Sequence, residues 1–182
     1  GSDFWNWFVG DDSKSDFPVD PNLVAAFDTS DAEGGGTDLR RAITLSDDGL
    51  KAIKFPKEGG LGSEHDWIEL RLTDIILLYA EALNANGTPA DTVLALLDPI
   101  RTRAGLTSLT GTVSSQSDVK QAIADERRLE MAFEGHRWFD LVRTGTVDDE
   151  MGQSVNNNYH IFPIPVSEVL ASGGVITQND GY

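Results

Sequence analysis

Residues 125–145 read DERRLEMAFEGHRWFDLVRTG, the densest run of charge in the chain. A helix brings residues four apart onto one face. Glu126, Glu130 and Glu134 then line up, with Arg127 and Arg137 close by. Three carboxylates in a row repel one another unless positive groups answer them. Arginine suits that task, because its planar fork meets a carboxylate in bidentate fashion. Elsewhere the chain supplies Arg71, Arg101 and Arg103, together with Asp74 and Glu81. The expectation is a ladder of arginine–carboxylate pairs that knits three helices together. Such pairs fix a unique packing more surely than they raise stability.

Two sharper readings of the same stretch are weaker. A helical di-metal site needs Glu-x-x-His pairs on facing helices. Here Glu134-Gly135-His136 would point its two side chains about 200° apart on ideal helix geometry. His136 and Asp140 share a helical face, but one pair is not a metal site. Acid–base catalysis needs two carboxylates set apart by their surroundings, and no two stand out. No catalytic residue, metal or cofactor is therefore expected.

Working outward, HDWIELRLTDIILLYAEALNANG over residues 65–87 predicts a helix that stops at Gly87 and Pro89. It is apolar nearly all round, which predicts burial on every side. A second helix is expected after Thr88, with Pro89 in its first position and a bend at Pro99, ending near Ala104. A third starts after SSQSD, with Ser117 or Asp118 as its N-cap, and runs toward Arg143 with Gly135 weakening its middle. Residues 1–64 are loop-rich, marked by FPVDP, EGGG, SDDG and KEGGLG. Within them LVAAF predicts a helical turn and AIKF a strand. After the third helix, IFPIP reads as extended and SEVLAS as a turn or two of helix. The fold class is mainly α with long ordered loops and little β structure. It divides into a loop-rich segment over 1–64 and a helical core over 65–182.

The chain has 182 residues, enough to bury a core, and no cysteine, so disulfides and thiolate chemistry are excluded. Its formal net charge of −16 argues against a nucleic-acid partner and against electrostatic docking on anionic lipid. The most apolar run, residues 75–83, is too short to span a bilayer and contains Glu81. The opening residues carry no signal-peptide pattern, and Gly1-Ser2 reads as a cloning remnant.

Several of these strings together resemble one family. RLTDIILLYAEALNANG, IRTRAGL, ERRLEMAFEGHRWFDLVRTG, IFPIP and QNDGY, in that order, are similar to the C-terminal half of the SusD/RagB family of surface nutrient-binding lipoproteins. A looser likeness covers residues 17–45, where the family's acid–arginine spacing looks spread out by EGGG. The resemblance implies helix pairs of tetratricopeptide type and a non-enzymatic protein. It also implies glycan or other nutrient binding at the outer-membrane surface, and delivery to a TonB-dependent, SusC-like transporter. Family members are more than twice this length, so the chain is expected to be a C-terminal portion without the lipid-anchored cysteine. An isolated portion is expected to expose apolar faces.

Sugar sites present aromatic faces to C–H groups and polar rims to hydroxyls. DFWNWFVGDD at residues 3–12 fits that chemistry, making Trp5, Asn6 and Trp7 the candidate ligand-binding residues. The competing reading is that these aromatics pack on the core or on the rest of the protein. Trp67, Trp138 and Phe139 read as structural, and His65 and His160 as lone histidines near turns. The acidic run DDSKSD fails the calcium-loop pattern, since Phe17 follows it where a glycine is required. Two other function classes remain open beside nutrient binding. A helical scaffold without a small ligand would bind a partner protein and no glycan. A carboxylate-dependent glycoside hydrolase would need a cleft with two opposed acids.

Overall fold

The computed structural model describes residues 18–33, 36–55 and 68–182. It is mainly helical; among the described residues the sole β pairing is one isolated antiparallel bridge, Leu45 with Ala52. Two compact units divide the chain, Gly1–Gly135 and His136–Tyr182.

In the first unit, α1 spans Pro21–Glu33 and α2 spans Leu39–Thr44. LVAAF is therefore part of a full helix, and AIKF contributes only the bridge. The helix α3, Leu72–Ala85, starts later than its sequence predicts, because Arg71 before it is extended. The second predicted helix is two short ones, α4 at Ala90–Leu94 and α5 at Asp98–Arg103. Pro89 caps α4 rather than opening it, and Pro99 lies in the first turn of α5, where its missing N–H costs nothing. α6 spans Gln116–Glu130, and its cap is Ser115, whose hydroxyl accepts from the Asp118 amide. The predicted continuation to Arg143 is broken. Met131 leaves helical geometry, Phe133 takes φ 63° and Gly135 φ 81°. A left-handed pair so close together cannot sit inside a right-handed helix.

α6 ties together two apolar clusters. Its Val119 and Ile123 join Leu77 and Ala80 of α3, Val93 and Leu94 of α4, and Leu97 and Ile100. Its Leu129 joins Val19, Phe27 of α1, Leu45 and Ala52, with Phe133 packed against them. The expectation that α3 is buried all round fails. It buries Leu77, Ala80, Asp74 and Asn84, while Leu72, Ile75 and Tyr79 stay exposed. The described part of the unit supplies packing partners to one side of α3 only.

Two glycines allow a close crossing. A Cβ on Gly36 would stand 2.3 Å from the carbonyl oxygen of Gly105. A Cβ on Gly105, at φ 81°, would stand 2.7 Å from that of Thr37. The crossing lets the Leu39 amide donate to the Ala104 carbonyl at 2.9 Å. It thereby fixes the start of α2 beside the end of α5.

The second unit holds α7 at Arg137–Thr144, α8 at Val147–Met151, a 3₁₀ turn at Asn157–His160 and α9 at Val166–Ala171. Leu141 and Val147 are its buried apolar residues. Rings pack edge-on at Trp138–His160 and Phe139–Phe162, although Phe139 and Phe162 stay largely exposed. His160 lies against an indole at the end of the 3₁₀ turn and does not cap it. IFPIP carries no strand ladder. Gln178 instead mimics a peptide group, its Oε1 accepting from the Ile164 amide and its Nε2 donating to the Ile164 carbonyl, both at 2.8 Å. Asn179 donates to the Phe162 carbonyl and the Tyr182 hydroxyl to that of Ile161.

Candidate functional site

Glu126 and Glu130 of α6, with Glu134 in the turn beyond its end, form a node with residues from four other segments. Glu126 accepts from Arg40 and from Arg101 Nη1 at 3.1 Å. Glu130 accepts from Arg71 Nη1 at 2.7 Å, from Arg103 and, at 3.3 Å, from Arg40. Glu134 accepts from Arg71 Nε at 2.7 Å and Nη2 at 2.9 Å, and from Lys54. Asp38 clamps Arg40 with two bonds, Nε to Oδ1 at 2.8 Å and Nη2 to Oδ2 at 2.7 Å. Deeper along α6, Arg127 Nη1 donates to Asp74 Oδ1 at 2.7 Å. The four carboxylates Asp38, Glu126, Glu130 and Glu134 thus face four guanidiniums and one ammonium. All four acids are buried.

Three partners in this node escape the sequence reading. Asp38 and Arg40 form the acid–arginine pair directly, at a spacing of two residues; EGGG lies before the pair and does not spread it. Its sequence signal was the Asp itself, which caps α2 by accepting from the Arg40 amide. Lys54 lies in the loop-rich segment and donates to the carbonyls of Glu130 and Ala132. It therefore satisfies acceptors left open where α6 ends, as a cation at a helix C-terminus does. Arg137, drawn near the ladder by sequence, instead pairs with Glu150 in its own unit, and both are about a third exposed.

The protonation energetics suit a structural role. Burial pushes Glu130 upward, but the bonds from Arg71 and Arg103 outweigh it and hold the carboxyl down at about 2. A general acid needs the opposite displacement. Burial opposes the charge on Arg71 and Arg40, yet their carboxylate partners raise both. For Lys54 burial wins and lowers the ammonium, with Glu134 offsetting part of it. The described residues contain no cluster of His, Asp and Glu arranged for a metal ion. In the node the carboxylate oxygens already accept from arginine and lysine, so a cation would have to displace those bonds. The arrangement joins distant segments through charge-assisted hydrogen bonds and so orders the chain.

The candidate ligand residues Trp5, Asn6 and Trp7 lie outside the described residues, as do DDSKSD, His65 and Trp67. No described helix is long and apolar enough to cross a membrane.

The model of the SusD family matches residues 50–160. SusD-like protein P2 of Formosa agariphila is 26% identical over 68% of this chain and 27% of its own length. The starch-binding protein SusD of Bacteroides thetaiotaomicron is 29% identical over 78% of this chain and 27% of its own. Among solved structures, a laminarin-binding SusD-like protein is 34% identical, with TM-score 0.61 over 91% of this chain and 38% of that one. A SusD homolog from Bacteroides thetaiotaomicron is 28% identical, with TM-score 0.65 over 79% and 35%. The chain thus spans about a quarter of the length of the curated relatives it matches, and about a third of the solved ones. A model match over more than half of the residues, which takes in Lys54, Arg71, Arg101, Arg103 and the three glutamates of the node, places the chain in the SusD family.

Proposed function

We propose that this chain is part of a glycan-binding nutrient receptor, anchored by lipid at the outer-membrane surface. In that reading it presents its ligand to a TonB-dependent, SusC-like transporter and catalyses nothing. The supporting observation is the 34% identity, across 91% of the chain, to a solved protein named for binding laminarin. The starch-binding name of a second relative points to the same ligand class. Trp5 and Trp7 are proposed as the stacking platform and Asn6 as a hydroxyl partner.

Calorimetric titration with laminari- and malto-oligosaccharides tests this. The chain is expected to bind at least one series, and a Trp5→Ala, Trp7→Ala variant to lose about tenfold or more in affinity. A parent chain that binds neither series, yet captures a partner protein tightly, would favour the scaffold alternative.

A further inference from the structure

We infer that the C-terminal unit carries a second carbohydrate subsite, in the cleft between the 3₁₀ turn and the closing tail. Its ligand class rests on the glycan reading above; its location does not. The cleft measures about 430 Å³, and its walls include Asn157, Asn158 and Ile161 on one side and Thr177 and Asp180 on the other.

The walls are held firmly while their functional groups are left available. Gln178 clamps Ile164, and the Asn158 amide donates to Asn156 Oδ1 at 2.9 Å. Gly181, at φ 94°, passes so close to Asn158 that an added Cβ would sit 2.9 Å from that side chain. The tail thus closes on the turn only because residue 181 has no side chain. By contrast, the side-chain polar atoms of Asn157, Asn158, Thr177 and Asp180 make no hydrogen bond to any described residue.

The chemistry of those groups selects a neutral polyol. Two amides and a hydroxyl both donate and accept, and the carboxylate accepts. Sugar hydroxyls need both kinds of partner. An anion would meet Asp180 and a chain of net charge −16. A divalent cation would find a single carboxylate, too few for a hard-ion site. The half-exposed side chain of Ile161 offers an apolar patch for C–H groups. Next to lining residues in the chain, though not lining the cleft themselves, Tyr159 and Tyr182 are about half exposed and edge-on at 5.6 Å, with the Tyr182 hydroxyl bonded to the carbonyl of Ile161. Sugar sites combine exposed aromatic rings with polar side chains that are free to bond hydroxyls.

Heteronuclear NMR on the full chain, titrated with laminarihexaose and with maltohexaose, tests the inference. The expected result is a shift of the Asn157 and Asn158 side-chain amides and of backbone amides over 177–182. That shift should survive in the Trp5→Ala, Trp7→Ala variant and weaken about tenfold or more in apparent affinity in an Asn157→Ala, Asp180→Ala variant. The latter variant breaks no described side-chain bond, so its remaining spectrum should match the parent. Shifts confined to resonances outside the cleft, or indifferent to the Asn157→Ala, Asp180→Ala change, would overturn the subsite and leave the glycan reading standing. No shift anywhere with either oligosaccharide would overturn both.

Discussion

Glu130 concentrates the energetics of the node in one side chain. Its carboxylate meets three arginines, and its own carbonyl accepts from Arg71 and Lys54. Glu130→Ala would leave these cations facing a hole, and a loss of roughly 3–5 kcal/mol in urea unfolding is expected. Arg137→Ala breaks only the half-open pair with Glu150, and a change within about 1 kcal/mol is expected. The carboxyl also sets a pH dependence. Its folded pKa of about 2 lies below the ordinary 4.5, so its contribution is complete above 4.5 and fades as pH falls toward 2. On the order of 3 kcal/mol should disappear across that window. Unfolding midpoints measured through it should show a shallower slope in Glu130→Gln than in the parent.

Glu126 and Glu130 were legible because four-residue spacing announces a helical face; Glu134 was read onto that face but lies in the turn beyond the end of α6, and Asp38 was not read. Arg71, Arg101 and Arg103 were legible as their partners because buried-looking helices cannot hold bare charge. Arg40 was not, since it meets Glu126 across 86 residues and no local pattern encodes that contact. Lys54 was hidden for the same reason.

At the scale of the element, helix existence was easier to read than helix limits. α3 and α6 follow from composition and periodicity. The break after Glu130 follows from Phe133 in a left-handed conformation, which packing against Phe27 and its neighbours stabilises and sequence does not announce. The double start at α4 and α5 reflects a local competition that Pro99 decides. The glycine crossing carries a prediction of its own. Gly105→Ala combines an unfavourable φ with a 2.7 Å contact to the Thr37 carbonyl. A destabilisation of about 2 kcal/mol or more is expected by urea titration, since backbone on both sides must shift. The displaced start of α2 would also move Arg40, so the crossing and the node should weaken together. A Gly105→Ala, Glu130→Ala double variant should therefore lose less than the sum of its parts.

For the whole molecule, two electrostatic regimes coexist. Thirty acids against fourteen lysines and arginines leave a surface that repels itself, while the node is nearly balanced and its carboxylates are buried. Salt screens exposed charges within about 10 Å at 0.1 M but reaches buried pairs poorly. Melting temperature is therefore expected to rise as sodium chloride is added to a low-salt buffer, by relief of repulsion. A fall would mean that the pairs holding the fold lie open to solvent. The main class of the fold was legible from composition. Which side of α3 stays uncovered was not, because that depends on which neighbours are present.

The Gln178 clamp has a consequence for ageing. A glutamine that stands in for a peptide group works only while one end donates and the other accepts. Hydrolysis of its amide, the slow chemical wear of such side chains, would turn the donor end into a second acceptor. A carboxylate would then confront the Ile164 carbonyl, and the closing tail would lose its latch. The C-terminal unit therefore carries a chemical clock at position 178, one that runs without any change in the gene.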